Sequence, residues 1–388
     1  MKILITTDLF TTETNGVVTS VKNLCEEMKR RGHDVRVLTI SDNAHSRREG
    51  DVYYIRSVSL EAIYPNVRMP MSYHHRLIKE LVEWLPDVIH SQCEFFSFQF
   101  ALYIAKLTSA PIVHTYHTMY EQYAAYIIPS ERIGKFLVRE LSRKRLEKVE
   151  RIVAPTEKVE EALLEYGIRQ NISVVPSGIS LEQHEKRITK GERARKRVEL
   201  GIEEGSMVML NLGRLATEKK VDELLRYFAK ARESMEKLVF LIVGDGPAKS
   251  SLETLAAQLG VKESVIFTGM VPPEKVQEYY QLGDVFVSAS TSETQGLTYI
   301  EAAANGLPLL CRKDPCLKGI IEQNENGFEY TDEGEFLSAL NFILLNEKWR
   351  ITAGKRSAQI AEAYGKGAFA DAIEKIYISV LEKETVGG

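Results

Sequence analysis

Short β-branched apolar runs alternate along this chain with stretches whose apolar residues recur every three or four positions, the pattern of parallel strands joined by amphipathic helices. In the first half the predicted strands are 2–7, 35–40, 52–56, 87–90, 111–115, 151–154 and 172–175. Helices are predicted between them at 16–31, 72–84, 95–108, 132–149 and 158–166. Pro176-Ser177-Gly178 closes this half, and a highly charged stretch over 182–199 follows, helical in pattern and without a strand. The alternation restarts with strands at 207–212, 238–243, 265–268, 284–288 and 307–311. Beyond a break at 364–367 lies one more amphipathic helix, 369–381, whose periodicity does not say which half it joins. Two doubly wound α/β halves meeting near residue 180 are therefore expected.

Composition narrows the class. With 388 residues, 44% of them hydrophobic, the chain can fill more than one core. A net charge of −4 gives no reason to expect nucleic acid as a partner. Cys25, Cys93, Cys311 and Cys316 are scattered and form no CxxC pair, which points to a reduced, cytoplasmic setting without a metal site. Met1-Lys2 runs straight into a strand, leaving no room for a signal peptide, and no apolar run approaches the ~18 residues of a bilayer span. Attachment to a membrane surface stays open. Residues 131–151 carry eight cations against four anions, with Ile133, Phe136, Leu137, Leu141 and Val149 as an apolar stripe. Such a helix either lies on an anionic membrane surface or docks its stripe on the sheet beneath it. The loop 63–73 adds Ile63, Tyr64, Met69, Met71 and Tyr73, to greet a lipid or to pack.

The candidate chemistry gathers at strand ends, where open α/β sheets bind ligands. Glu293 is expected on the loop after strand 284–288 and Glu301 two helical turns further along. Two separated carboxylates without a neighbouring His or Cys suit hydroxyl-rich ligands better than a metal. In Gly213-Arg214-Leu215-Ala216-Thr217-Glu218-Lys219-Lys220, Arg214 follows a buried strand and Lys219 is expected at the start of the next helix. The two cations can bracket a diphosphate or merely line a solvated turn; cations oppose the dipole at a helix N-terminus, which favours the anion. Asn15-Gly16-Val17 and Gly244-Asp245-Gly246-Pro247 punctuate strand ends without completing a dinucleotide fingerprint, and no Walker A sequence is present. His117 ends the strand 111–115 within reach of a ligand, whereas His114, inside it, reads as a packed residue.

Taken together, Asn15-Gly16-Val17, His117, Gly213-Arg214-Leu215 with Glu218-Lys219, Val243-Gly244-Asp245-Gly246-Pro247, Phe267-Thr268-Gly269 and Glu293 to Glu301 with Asn305-Gly306-Leu307-Pro308 resemble the family-4 retaining glycosyltransferases of the GT-B fold. His117-Thr118-Met119-Tyr120-Glu121-Gln122-Tyr123 and the stretch 292–302 look most like the bacterial diacylglycerol glucosyltransferases, membrane-associated glycolipid synthases. The resemblance implies an α/β, GT-B architecture: two Rossmann-like, doubly wound domains facing a cleft. The first, acceptor-binding domain would be residues 1–178 with the helix 368–388 crossing back, and the second, nucleotide-sugar domain residues 179–367. It implies that Arg214 and Lys219 hold the diphosphate of a UDP-sugar donor, UDP-glucose above all, and that Glu301 holds its ribose. Glu293, with the backbone of Thr294, Gln295, Gly296 and Leu297, would contact the hexose, which His117 would also approach. Gly244, Asp245, Gly246, Thr268, Gly269 and Met270 would shape the nucleotide pocket, Gly16 would admit a phosphate, and Asp8 is a candidate for steering the acceptor hydroxyl. No metal and no further cofactor is expected. The implied acceptor is a membrane lipid such as diacylglycerol, met at the inner face of the cell membrane with helix 131–151 on its anionic surface. A soluble sugar or polysaccharide acceptor, a UDP-sugar epimerase and a non-catalytic nucleotide-sugar binder are the competing readings. Two departures stand out: Lys220 where a glycine is common, and Thr294-Gln295-Gly296 where Gly-Phe-Gly is usual.

Overall fold

The protein is described from a computed structural model, over residues 1–10, 15–59, 68–119 and 130–386. Ile63 and Tyr64 of the apolar loop, and Tyr120 to Tyr123 of the histidine motif, lie outside the described residues. The chain divides into two compact units, Met1–Gly178 with Lys366–Gly388, and Ile179–Gly365.

The first unit is built on an eight-stranded sheet in the order β10-β9-β8-β7-β1-β2-β4-β3. Its strands are β1 (Lys2–Thr7), β2 (Asp34–Ile40), β3 (Arg47–Glu49), β4 (Val52–Ile55), β7 (Val88–Ser91), β8 (Ile112–Thr115), β9 (Arg151–Ala154) and β10 (Ile172–Val174). All pairings are parallel except β3 on β4, and β5 (Ser57–Ser59) and β6 (Arg68–Pro70) form a separate antiparallel pair. Helices α1 (Gly16–Arg30), α2 (Arg76–Trp84), α3 (Phe96–Thr108), α4 (Glu131–Leu146) and α5 (Glu157–Glu165) connect them. Because helices cover both faces, the central strands read as unbroken apolar runs instead of alternating. On one face Ile3 and Ile5 meet Val21, Leu24 and Met28 of α1 together with Phe369, Ile373, Ile376 and Tyr377 of the chain's last helix. On the other, Leu4 and Ile89 meet Leu77 and Leu81 of α2 and Phe98 and Ile104 of α3. Asn15 starts α1 by accepting the Val18 N–H at 2.8 Å, and Lys29 and Arg30 in the last turn complement its dipole.

The second unit carries a fully parallel six-stranded sheet in the order β13-β12-β11-β14-β15-β16. These are β11 (Met207–Leu212), β12 (Leu238–Val243), β13 (Val265–Phe267), β14 (Val285–Ser288), β15 (Leu309–Arg312) and β16 (Gly327–Tyr330). Its helices are α6 (Leu181–Glu185), α7 (Lys190–Glu199), α8 (Val221–Arg232), α9 (Lys249–Gln258), α10 (Val276–Tyr280), α11 (Leu297–Ala304), α12 (Glu333–Leu345) and α13 (Glu347–Glu362). The last helix, α14 (Lys366–Val386), starts three residues before the predicted 369 and belongs to the first unit. Strands β3, β5, β6 and β16 are absent from the sequence expectation; each is three or four residues long, too short to show a period.

The charged stretch 182–199 is part of the second unit's fabric. Arg193 and Arg197 pair with Asp284 at the foot of β14, at 2.9 and 2.8 Å. Arg187 donates to the carbonyls of Ala304 and Asn305, closing the C-terminal end of α11 with positive charge.

Candidate active site

In the second unit the strand order reverses between β11 and β14, so the crevice of this sheet opens where the loops after those two strands diverge. The two loops are tied to each other there. Lys219 Nζ lies 2.6 Å from Glu293 Oε1, Lys220 Nζ donates to Thr291 Oγ1 at 3.1 Å, and Ser292 Oγ donates to the Glu218 carbonyl at 3.5 Å. Arg214 stands outside this knot, its side chain 60% exposed and 3.6 Å from Glu218 Oε1. Lys219 does not open the next helix as expected: it ends a single 3-10 turn, Thr217–Lys219, and α8 begins at Val221. Between them Lys220 adopts a left-handed backbone, φ 52°, which explains why glycine is common at that position.

Glu301 falls just past the first turn of α11, which begins only at Leu297, and not two helical turns beyond Glu293. Tyr280 donates its hydroxyl to Glu301 Oε2 at 2.8 Å. Burial pushes the Glu301 carboxyl up to about 7, and the Tyr280 hydrogen bond works against that rise. Tyr280, the partner of a candidate site residue, was missed by sequence reasoning. It is fully buried, its ring lies 6.4 Å from that of His184, and nothing in its local pattern marks its hydroxyl as different from that of any core tyrosine. His184 accepts from Asn305 Nδ2 at 2.8 Å, and burial lowers its pKa to about 4, so the ring is neutral.

The glycines after β12 are required by close backbone packing. A Cβ on Gly244 would stand 2.0 Å from the Gly213 carbonyl oxygen, and one on Gly246 2.3 Å from that of Leu215. It is backbone that excludes a side chain there. The Leu215 N–H donates to Asp245 O and the Ala248 N–H to Leu215 O, each at 2.9 Å, and the Gly244 N–H reaches Gly269 O at 3.1 Å. The loops after β11, β12 and β13 thus form one stitched edge, and Thr268 and Gly269 belong to it. Asp245 is engaged inside this edge, accepting from Gly246 N–H at 2.7 Å and facing Lys249 Nζ at 3.3 Å, which together hold its carboxyl below the usual range. Met270, just beyond, is 77% exposed. At the start of α11, Gly296 is left-handed, φ 76°, with the Tyr299 ring closed over it. Gln295 is buried, Thr294 lies beside it in the same loop, and the helix from Leu297 points its first N–H groups toward the loop side.

In the first unit the order reverses between β1 and β7, and the residues after those strands carry the polar groups. Asp8 Oδ1 accepts the Ser97 N–H at 2.7 Å, which caps the first turn of α3; burial raises its carboxyl to about 6. Gly16 is the exposed first residue of α1. His117, two residues past β8, sits with Nε2 2.7 Å from Gln92 Oε1, and burial lowers its pKa to about 3. Gln92, which follows β7, was not singled out by sequence. His114 is a packed histidine, fully buried with Nε2 3.1 Å from Glu94 Oε1. On α4 the apolar stripe faces outward: Ile133, Phe136, Leu137 and Leu141 are exposed, Phe136 at 62%, and only Val149 of the five expected residues is buried. Among the described residues no cluster of three or more His, Cys, Asp or Glu side chains suits a metal ion, and no helix is long and apolar enough to cross a membrane.

The model for Glycosyltransferase Family 4 matches residues 14–183, and that for Glycosyl transferases group 1 matches residues 192–364. The alpha-monoglucosyldiacylglycerol synthase of Streptococcus pneumoniae is 34% identical, over 88% of this chain and 77% of that protein. The protein of the same name from Acholeplasma laidlawii is 29% identical, over 99% of this chain and 98% of its own. Among solved structures, Anabaena HepE in complex with UDP superposes with a TM-score of 0.77 at 17% identity, covering 98% of this chain and 100% of that one. Sucrose-phosphate synthase from Thermosynechococcus elongatus gives 0.77 at 19% identity, over 98% and 99%. At such identity these two likenesses concern the fold, two Rossmann-like units of the GT-B type. From the matched models and the pneumococcal relative it follows that this chain is a glycosyltransferase and belongs to family 4.

Proposed function

We propose that the chain moves the glucosyl group of UDP-glucose to diacylglycerol with retention of the anomeric configuration, working at a membrane surface. The observation that carries the donor side of this reading is the Lys219–Glu293 pair at the sheet's reversal point, with Arg214 beside it and Glu301 just past the first turn of the adjoining helix. Transfer to a hydroxyl needs stabilisation where the diphosphate departs and a grip on the hydroxyl-rich donor. Arg214 and Lys219 supply positive charge for the diphosphate, and the N–H groups opening α11 add theirs. Glu301 takes the ribose hydroxyls and Glu293, steadied by Lys219, the hexose. From the first unit we assign His117 to the hexose as well. In the transfer itself the bond from sugar C1 to the phosphate oxygen breaks and one from C1 to the acceptor oxygen forms on the same face. The acceptor's proton passes to the phosphate oxygen, and UDP leaves. No cofactor beyond the donor is invoked.

The acceptor side rests on the two relatives named for monoglucosyldiacylglycerol synthesis, which align over most of this chain. It also rests on the outward apolar stripe of α4, whose Ile133, Phe136, Leu137 and Leu141 stand among arginines and lysines as an interfacial helix requires. The test offers UDP-glucose with diacylglycerol in vesicles, with and without anionic lipid, and reads the product by mass and by its anomeric coupling. An α-glucosyl lipid, formed faster on anionic vesicles, is expected. Glucosylation of soluble sugars with none of the lipid would refute the acceptor assignment.

A further inference from the structure

We infer that Gln92 is a positioning residue of the transfer site: its amide oxygen accepts the His117 Nε2 proton and holds the ring in the tautomer whose acceptor nitrogen is Nδ1. This rests on reading His117 as a contact of the transferred hexose.

The geometry is specific. Gln92 leaves β7 with its N–H bonded to the Thr6 carbonyl at 2.9 Å, so its backbone is locked to β1, and its side chain is 1% exposed. His117 leaves the neighbouring strand β8, and the two side chains meet at 2.7 Å. One step down each strand, on the same face because side chains alternate, His90 Nε2 lies 2.7 Å from Thr115 Oγ1. The other His90 nitrogen lies 2.6 Å from the Tyr377 hydroxyl of α14. The ends of β7 and β8 are therefore pinned by two polar pairs, of which only the outer one contains a ring that is not wholly buried. A buried neutral imidazole must offer one donor and one acceptor, and the partner of one nitrogen decides the role of the other. Here an amide oxygen faces Nε2, which makes Nε2 the donor. Folding stability does not account for the amide. Gln92 Nε2 is buried with no protein partner among the described residues, a cost that an apolar side chain of similar size would remove.

The test compares Gln92→Leu, Gln92→Glu and His117→Ala, assayed with UDP-glucose and diacylglycerol vesicles, and adds imidazole nitrogen NMR on the unliganded protein. NMR should show His117 protonated at Nε2 in the wild type and a mixture of tautomers in Gln92→Leu. That variant should keep its Tm and its UDP-glucose KM within about threefold, while kcat falls about 10- to 100-fold through misorientation. Gln92→Glu sets a carboxylate against Nε2–H and favours the charged ring, which has no acceptor nitrogen. Its kcat should then rise with pH over a range where the wild type is flat. An Nδ1-protonated wild type overturns the inference, as does a Gln92→Glu profile that superimposes on the wild type. Wild-type kcat in Gln92→Leu beside a depressed His117→Ala overturns the inference alone. Wild-type kcat in His117→Ala overturns the hexose reading and the inference with it.

Discussion

Replacing Tyr280 with Phe deletes one oxygen atom, the one that donates to Glu301, and should raise the donor KM in a pH-dependent way. In the proposed role Glu301 must be ionised to accept two ribose hydroxyls, and with its carboxyl at about 7 protonation would compete with the donor. The Tyr280 hydroxyl, 2.8 Å away, is the contact that favours ionisation. A hydrogen bond to a charged group contributes about 1.5–3 kcal/mol, and 1.36 kcal/mol is one pKa unit, so the variant's carboxyl should titrate about one to two units higher. The apparent KM carries a factor of one plus the ratio of protonated to ionised carboxyl. At pH 7 that factor is about 2 in the wild type and about 11 to 100 in the variant, a ratio of roughly 5 to 50. At pH 9 the same arithmetic leaves a ratio of about 2 or less. The direction follows because raising pH ionises an acid whose pKa is elevated. Initial rates against UDP-glucose concentration at pH 7, 8 and 9, with saturating diacylglycerol, measure it. A KM ratio that does not change with pH, or a loss confined to kcat, would refute the reasoning.

Further perturbations probe the same edge. Glu301→Gln should abolish tight donor binding while stabilising the unliganded fold at high pH. Between its unfolded pKa near 4.5 and its folded value near 7 the native state holds the extra proton, so the carboxyl's contribution falls as pH rises. The gain should reach up to about 3 kcal/mol at pH 8 and fade toward pH 4.5 in urea unfolding; an equal gain at pH 5 and 8 would contradict it. Arg214→Ala should leave stability within about 0.5 kcal/mol, because the side chain is largely exposed. Its kcat should fall by about two to three powers of ten through lost charge at the leaving group; wild-type turnover would remove Arg214 from the mechanism. Gly246→Ala should cost about 2–4 kcal/mol in denaturant unfolding, since the new methyl meets the Leu215 carbonyl at 2.3 Å; a loss under about 0.5 kcal/mol would mean that the loops part easily.

What was readable in the residues follows from where the physics is local. Strands β11 and β12 emerge with their predicted ends because six-residue runs that are mostly apolar and mostly buried, bounded by glycine or polar residues, leave little choice. Arg214, Lys219, Glu293 and Glu301 were legible as types and spacings at strand ends. Their pairing was not: the Lys219–Glu293 contact spans 74 residues and exists only because β11 and β14 are neighbours. Tyr280 and Gln92 escaped notice for the same reason, each acting through a partner 21 or 25 residues away. The close backbone approach at the glycines after β12 was not legible in the sequence, since a ligand and a neighbouring carbonyl both demand the absence of a Cβ. Helix α4 could not be decided from its stripe alone, because amphipathicity says that a face is apolar and not what covers it.

The membership of α14 in the first unit has a bearing on how the molecule is made. Ile3, Ile5 and Val21 share their core with Phe369, Ile373 and Tyr377, residues separated from them by the entire second unit. A nascent chain therefore carries one face of its first sheet covered by α1 alone until the very end of translation, while the later half has its own interior complete earlier. Completion should run in reverse of the usual N-terminal-first order, and ribosome-bound chains halted before residue 366 should present a protease-sensitive amino-terminal half joined to a resistant successor.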